Sequence, residues 1–167
     1  MAIYYGDGSN STAGRTVQAV HTTSSTYTLV TSSGYADLTN NYLDITPKSN
    51  SNILVGWFGG YLNNRQNDPD SRIKFKVVKV ISGVYTNVFY PNLNEGEAAH
   101  QWISKRTNDG STDTDMWSYF CMNWMHTLPS SGAEGVSHRF QLQAGTANTA
   151  DSVKTLGFYA TIMELTA

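Results

Sequence analysis

The sequence predicts an all-β protein, an antiparallel β-sandwich or barrel built as one domain from about eight to ten strands. Three observations support this prediction. The chain has 167 residues, the length of a single domain. Only 14% of the residues are charged, while 40% are hydrophobic and 12% aromatic. Ser, Thr, Asn, Gln and Gly must therefore make up most of the polar surface. Short apolar segments alternate with turn residues, and no long amphipathic helix is evident.

The β-type segments are bounded by Gly, Pro, Asn and Ser clusters. Residues 52–62 are apolar on both faces, as in a central buried strand, and their glycines indicate a bulge or a close backbone approach. Residues 95–102 are compatible with a short helical turn. The predicted strands span residues 15–22, 26–31, 42–46, 52–62, 72–81, 84–90, 101–106, 116–126, 136–144 and 155–165.

Alternation of polar and apolar residues assigns faces to two of these strands. In the strand at 72–81, Ile73, Phe75 and Val77 are predicted to point inward, and the cationic run 72–79 reads as one polar face. In the strand at 136–144, the predicted inward residues are Val136, Phe140 and Leu142, with Ser137, Arg139, Gln141 and Gln143 opposite.

The first fourteen residues are small and polar, which predicts a flexible N-terminal arm (1–14) outside a β domain (15–167). Such an arm can order itself against a partner, so its side chains are candidates for partner binding. The candidates are Ile3, Tyr4, Tyr5, Asp7 and Asn10.

Composition and motifs exclude several classes of function. The net charge is −2 and the eleven Lys and Arg residues form no basic stripe, which disfavours nucleic-acid binding. No signal peptide or apolar run of membrane-spanning length is present, so synthesis in a cytoplasm without membrane insertion is expected. The motifs of nucleotide binding, hydrolase nucleophiles and zinc proteases are missing, and no cofactor is expected. The single cysteine, Cys121, lies in an apolar strand and is expected to be buried and inert.

Three stretches carry a resemblance to a known kind of protein. The first is Gly14-Arg-Thr-Val-Gln-Ala-Val-His21, and the second is the segment 43–55, Leu-Asp-Ile-Thr-Pro-Lys-Ser-Asn-Ser-Asn-Ile-Leu-Val. The third combines Pro-Ser-Ser-Gly at 129–132, His-Arg-Phe-Gln-Leu-Gln-Ala-Gly-Thr at 138–146 and Ala-Thr-Ile-Met-Glu-Leu at 160–165. Together they resemble virion structural and tail-fibre-type proteins of tailed phages, notably marine phages of cyanobacteria.

The resemblance implies a jelly roll similar to complement- and tumour-necrosis-factor-like heads, which usually assemble as trimers. A homotrimer would also cover the second apolar face of the strand at 116–126. The expected function is therefore non-enzymatic: a capsid decoration, cement or knob protein on the exterior of the virion, attached to capsid or tail proteins through its arm. Head, neck and tail locations all stay open.

The alternative function is a receptor-binding fibre tip or adaptor that recognises a host-surface glycan or protein. It would use the loops at 108–115 and 145–152, which are rich in polar side chains. The candidate contact residues are Asn108, Asp109, Asp113, Asp115 and Asn148.

Other chemistry is weighed against ordinary structural roles, and no catalytic or metal-binding residue is predicted. His126 and His138 would approach each other if their strands formed a hairpin, but two imidazoles do not complete a zinc site. The loop with Asp109, Asp113 and Asp115 lacks the spacing of a calcium-binding loop. Glycoside cleavage by Glu95 and Glu97, near His100, would be a third function, and it needs a carboxylate pair across a sugar cleft.

Overall fold

A computed structural model describes residues 3–4, 10–11, 15–26, 28–31, 34–65, 73–89, 116–146 and 152–167. Within these ranges all regular secondary structure is β, and none of the residues forms a helix. The strands are β1 (Ile3–Tyr4), β2 (Asn10–Ser11), β3 (Thr16–Ser24), β4 (Thr28–Val30), β5 (Ala36–Ile45), β6 (Ile53–Arg65), β7 (Ile73–Ile81), β8 (Val84–Phe89), β9 (Met116–Thr127), β10 (His138–Thr146) and β11 (Ser152–Leu165).

Two antiparallel sheets form a sandwich. The four-stranded sheet has the order β5-β10-β7-β8, and the five-stranded sheet has the order β3-β11-β6-β9 with β4 also paired to β11. From β5 to β11 each strand lies in the sheet opposite to that of the strand before it, except that β8 forms a hairpin with β7 in the same sheet. This crossing order is that of a jelly roll, so the predicted fold class is confirmed. A separate two-stranded ladder joins β1 to β2.

Large side chains fill the space between the sheets. Trp124 on β9 stacks on Phe140 of the opposite sheet, with ring centroids 4.5 Å apart. Phe58 on β6 makes edge contacts with Trp124 at 5.9 Å and with Phe158 at 5.4 Å. Phe58 and Phe140 are fully buried. Burial of one such ring contributes roughly 1.5–3 kcal/mol, so this aromatic stack is a main source of cohesion between the sheets.

Two glycines of β6 make room for aromatic rings. A Cβ at Gly56 would overlap the indole ring of Trp124, and a Cβ at Gly59 would overlap the phenol ring of Tyr159. Trp124 lies in the core, whereas Tyr159 lies on the outer side of the sheet and is half-buried. The close backbone approach that the glycines of 52–62 predict is therefore confirmed on both faces of the strand.

Some predicted strand positions and faces are wrong. Strand β10 begins at His138 rather than at residue 136, so Val136 is exposed and its predicted inward position is taken by His138. Strand β5 starts six residues before the predicted strand at 42–46. Cys121 is exposed, because the alternation that buries Phe120 and Met122 turns its thiol outward. The predicted turn at 95–102 and strand at 101–106 lie outside the described residues.

Candidate functional site

The outer side of the four-stranded sheet is a polar face with paired charges. Asp44 on β5 accepts two hydrogen bonds from the Arg139 guanidinium, from Nε at 2.9 Å and from Nη2 at 3.1 Å. The same guanidinium lies 3.9 Å from the ring centroid of Tyr42. The hydrogen bond to Asp44 raises the pKa of Arg139 further above its ordinary value. This pair is exposed, as expected for a surface that faces water.

Further hydrogen bonds continue across this polar face. The hydroxyl of Tyr85 donates to Asp37 Oδ2 at 2.9 Å, and the side-chain amide of Gln143 donates to Asp37 Oδ1 at 2.8 Å. Lys76 donates to Asn87 Oδ1 at 3.0 Å. Strands β5, β10, β7 and β8 all contribute to this network, so the whole sheet presents a hydrated, ionic surface.

The outer side of the five-stranded sheet has the opposite character, and we call it the uncharged face. Strand register aligns its side chains in rows, for example Ala19, Met163, Val55 and Met125, one from each strand. Among its described side chains none is Asp, Glu, Lys or Arg. The uncharged face consists of Val17, Ala19, His21 and Thr23 on β3; Leu156, Tyr159, Thr161, Met163 and Leu165 on β11; Ile53, Val55, Trp57, Gly59 and Tyr61 on β6; and Tyr119, Cys121, Asn123, Met125 and Thr127 on β9.

Several of these apolar side chains are open to solvent in the single chain. The exposed fraction is 65% for Met125, 56% for Tyr119 and 51% for Tyr61. Leu156, Tyr61 and Tyr119 lie side by side across β11, β6 and β9, and Met125 lies six residues further along β9. A contiguous apolar patch of this kind is typical of an interaction surface.

A group of tyrosines occupies one end of the uncharged face. The Tyr61 and Tyr119 rings meet edge to face at 5.5 Å, and the Tyr119 and Tyr159 rings stack at 6.3 Å. The hydroxyls of Tyr119 and Tyr159 are hydrogen-bonded to each other. This hydrogen bond raises the pKa of Tyr159 above its ordinary value. Tyr159 therefore stays protonated at neutral pH and adds no charge to the face.

Inside the sandwich, at the end reached by β7, β9 and β10, three basic side chains form what we call the basic cluster: Lys79, His126 and His138. Lys79 Nζ lies 2.9 Å from His126 Nε2 on the opposite sheet. His138 is fully buried, and neither of its ring nitrogens has a hydrogen-bond partner. Burial lowers the pKa of all three groups, and that of His126 falls to about 4, with the charges of Lys79 and His138 adding to the effect.

A buried carboxylate, Glu164 of β11, holds the loop between β5 and β6. Its Oε1 accepts hydrogen bonds from the backbone N–H of Lys48 at 2.8 Å, from that of Ser49 at 3.3 Å, and from Asn52 Nδ2 at 2.8 Å. Its Oε2 accepts from Gln18 Nε2 at 2.5 Å. Four donors from two segments, β3 and the β5–β6 loop, converge on one side chain, which makes Glu164 a structural anchor.

Most of the predicted binding residues fall where the structure gives no side chains. Ile3 and Tyr4 pair with Ser11 and Asn10 in the β1–β2 ladder, and Tyr5 and Asp7 lie outside the described residues. The remaining candidates also lie outside them: Asn108, Asp109, Asp113, Asp115 and Asn148 of the receptor loops, and Glu95, Glu97 and His100 of the hydrolase hypothesis. The arm and loop assignments stay predictions.

His126 and His138 are near each other, but the hairpin that would bring them together does not form. Strand β9 pairs with β6, and β10 pairs with β5 and β7, so the two imidazoles approach across the sandwich. Their partner is Lys79 rather than a third metal ligand. Sequence reasoning missed this lysine, although it shares its strand parity with the inward Phe75 and Val77. Across the described ranges, no group of three or more His, Cys, Asp or Glu side chains could hold a metal ion.

Comparisons with known proteins give only remote likenesses. No protein-family model matches the chain, and no curated protein matches it in sequence. A structure of infectious bursal disease virus, Gx strain, is 10% identical with a TM-score of 0.36, covering 100% of this chain and 42% of that one. The CBM22-1 xylan-binding domain from Paenibacillus barcinonensis Xyn10C is 11% identical with a TM-score of 0.34, covering 94% and 99%. Eiger TNF from S. frugiperda is 6% identical with a TM-score of 0.34, covering 83% and 91%.

The chain thus spans about two fifths of the length of the viral protein that it resembles. All three TM-scores are below 0.5 and all three identities are below 25%, so these likenesses carry no conclusion about activity or ligand. In the part of the chain that the structure describes, no helix is long and apolar enough to cross a membrane.

Proposed function

We propose that this protein is a non-enzymatic structural protein on the exterior of a tailed-phage particle, and that its jelly roll assembles as a homotrimer through the uncharged face. The arm at residues 1–14 would grip a capsid or tail protein. The observation that supports the assembly is the contrast between the two sheets: one outer side carries an Arg–Asp ion pair, whereas the described side chains on the other include no Asp, Glu, Lys or Arg. The phage assignment is supported by the sequence resemblance at residues 14–21, 43–55 and 129–165.

Charge explains why copies of this chain suit one another at the uncharged face. Association brings identical side chains close together, so each Lys, Arg, Asp or Glu on the face would be desolvated near others of the same sign. The described side chains of the face avoid that penalty. Their apolar area contributes about 25 cal/mol per Å² removed from water, and Met125, Tyr119 and Tyr61 are the most exposed contributors.

The distribution of side-chain size favours a closed ring over a two-fold dimer. Large exposed side chains lie on β6 and β9, such as Tyr61, Tyr119 and Met125. On β3 the small Ala19 and Thr23 alternate with Val17 and His21, so this strand presents less bulk. A two-fold interface pairs one patch with itself, which would set the largest side chains against each other at the axis. A heterologous interface instead fits the large half of one copy against the small half of the next, and a three-fold axis closes that arrangement.

Size exclusion with light scattering tests the assembly directly. Three 18.4 kDa chains weigh about 55 kDa, and this is the expected mass of the wild type. Met125→Lys should give an 18.4 kDa monomer, because each copy would bury an ammonium group in the interface. The matched control is Val84→Lys on β8: Val84 is 67% exposed, close to the 65% of Met125, but lies in the four-stranded sheet. A monomeric wild type, or a trimer that survives Met125→Lys while far-ultraviolet circular dichroism is unchanged, would overturn the trimer.

Attachment to the particle is tested by deleting residues 1–14. The expected result is loss of binding to purified particles while the domain keeps its fold and its mass in solution. Retained binding after the deletion would refute the role of the arm. Within the arm, Tyr4→Ala and Tyr5→Ala are the milder variants, and a reduced occupancy on particles is expected for each.

Receptor binding remains the alternative, with the host-surface glycan or protein as its partner. It predicts that exchanging residues 108–115 or 147–151 for Gly-Ser segments lowers binding to host cells without changing particle occupancy. Unchanged host-cell binding after both exchanges would count against it. Reducing-end release from host polysaccharide, lost on Glu95→Gln and Glu97→Gln, would instead show the glycan hydrolase.

A further inference from the structure

The basic cluster is an unusual feature of a β-sandwich interior. Lys79, His126 and His138 come from three strands and two sheets, yet all three point into the space between the sheets. The register places Lys79 opposite Phe140, which is fully buried, and its ammonium reaches across to His126. A neutral imidazole accepts a hydrogen bond from the ammonium at Nε2, so this contact requires that His126 carry no charge.

His138 needs the neutral state even more strictly. It has no exposed surface, and neither ring nitrogen meets an acceptor that would stabilise an imidazolium. A second charge there would lie in an apolar layer with Ile45 as its β5 neighbour, near the ammonium of Lys79. The free-energy cost of an unpaired buried charge is large, so protonation is strongly disfavoured while the sandwich stays closed.

Among the described residues, neither of the two acidic side chains near the basic cluster is available to pair with its histidines. Glu164 lies in the same inner row as His126, but Leu54 separates them and four donors already occupy the carboxylate. Glu134 lies in the loop that leads to β10, and its side chain is exposed. Neither is among the groups that shift the pKa of the two histidines: Lys79 lowers the pKa of both, and His138 also lowers that of His126.

Two loops close the sandwich over this end. Asn50 Oδ1 accepts hydrogen bonds from the backbone N–H of Ala133 at 2.7 Å and from that of Glu134 at 2.9 Å. The backbone N–H of Gly135 donates to the Pro47 carbonyl at 3.0 Å. The 46–52 and 128–137 loops are therefore tied together just before β10 enters the sheet at His138.

We propose that the basic cluster is an acid-sensitive lock, in which proton uptake by His126 and His138 beside the Lys79 ammonium separates the two sheets at this end and frees the two loops. The device is independent of the trimer, since all three side chains lie inside one subunit. It would make a particle subunit stable near neutral pH and prone to local opening in acid.

The sign of the pH dependence follows from the lowered pKa values of the histidines. In the unfolded chain a histidine titrates near its ordinary pKa of 6.5, whereas in the folded chain the pKa of His126 is about 4. Between these values the unfolded state binds more protons, so stability rises with pH. The contribution is fully present above pH 6.5 and is lost as the pH falls through about 4. His138 adds to the effect in the same direction.

Urea unfolding at several pH values between 7 and 4 measures the lock. Between pH 7 and 4, the unfolded wild type should bind up to two more protons than the folded protein does. His126→Gln should remove up to one of them. Lys79→Met keeps the aliphatic stem but removes the ammonium charge that helps to lower the pKa of both histidines, so it should reduce the proton excess and the loss of stability in this window. The control is His21→Gln, because His21 lies on the outer face and hydrogen-bonds Thr161. This substitution should leave unchanged the number of protons that the basic cluster takes up on unfolding. Runs at two protein concentrations separate the lock from any dissociation of the trimer.

A second measurement keeps the inference testable if a variant does not fold. In the wild type, the imidazole resonances of His126 followed by NMR should titrate more than one pH unit below 6.5. The loop amides of Ala133 and Glu134 should lose hydrogen-exchange protection, after correction for intrinsic rates, as those resonances titrate. Titration of His126 near 6.5 in the folded protein, or an unchanged proton excess in both His126→Gln and Lys79→Met, would overturn the lock.

Discussion

Replacing Glu164 by glutamine tests the buried anchor without changing its shape. Three of the four donors converge on Oε1, and two of these are backbone N–H groups of Lys48 and Ser49. A hydrogen bond to a charged acceptor contributes about 1.5–3 kcal/mol and one to a neutral acceptor about 1 kcal/mol. Neutralising the acceptor therefore weakens each of three bonds by roughly 0.5–2 kcal/mol.

The fourth donor makes the substitution worse. Gln18 Nε2 donates to Oε2 at 2.5 Å and also to the Thr46 carbonyl at 2.7 Å, so its amide cannot flip without losing the second bond. In Glu164→Gln the new amide NH₂ either faces this donor or displaces the three donors at Oε1. The expected total loss is about 2–4 kcal/mol in the free energy of unfolding.

Urea unfolding followed by tryptophan fluorescence measures this loss at fixed protein concentration. The midpoint should fall with little change in the slope, because the core stays packed. The matched control is Glu134→Gln: the carboxylate is exposed and only its backbone N–H is hydrogen-bonded, so a change within about 0.5 kcal/mol is expected. Equal midpoints for the two variants would refute the anchoring role of Glu164.

Three further outcomes are expected from the packing and the surface. Gly56→Ala should cost about 1–3 kcal/mol by forcing the Trp124 ring out of place, measured as a lower urea midpoint with altered tryptophan fluorescence. Phe58→Ala should cost about 3–5 kcal/mol, since a fully buried ring would leave a cavity, and calorimetry should show a lower unfolding temperature. A double-mutant cycle on Arg139→Gln and Asp44→Asn should give a coupling below about 1 kcal/mol, because the pair is exposed; a larger coupling would contradict this view of the polar face.

Alternation and turn residues predict most of the strands, because both report local geometry. The inward side of β7 is confirmed at Phe75 and Val77, and the glycines of β6 are confirmed as sites of close approach. The prediction of which side chains point inward fails where a contact with a distant part of the chain determines burial. Gln141, predicted on the polar side of its strand, is buried because its amide donates to the carbonyls of Leu38 and Asn41.

The early part of β5 was missed for a related reason. Residues 36–41 lie outside every strand that the sequence predicts, and Asn40 adopts a left-handed φ of 69°. The strand nevertheless continues through this irregularity, and Asn41 is buried with its amide donating to Thr155 Oγ1 at 3.0 Å. The local sequence predicts neither this hydrogen bond nor those made by the Gln141 amide, because the partners are at least 100 residues apart.

The candidate interaction surface was predictable only in part. The two-faced apolar strand at 116–126 indicated that something covers its second side, and Tyr119 and Met125 are indeed exposed there. That β3, β11 and β6 extend the same uncharged surface depends on register across the sheet, which a single sequence does not report. The basic cluster likewise depends on strands 47 or more residues apart, since Lys79 and His126 meet only after both sheets have formed.

The uncharged face has a consequence for the ionic strength at which copies of the chain associate. Salt weakens contacts by screening charges, over a Debye length of about 8 Å at physiological ionic strength. None of the described side chains on this face is an Asp, Glu, Lys or Arg whose charge salt could screen. Association through this face is driven by the release of water from apolar surface, and salts such as sulfate strengthen that hydrophobic contribution. Subunits held together in this way would stay together in dilute buffer and in concentrated brine alike.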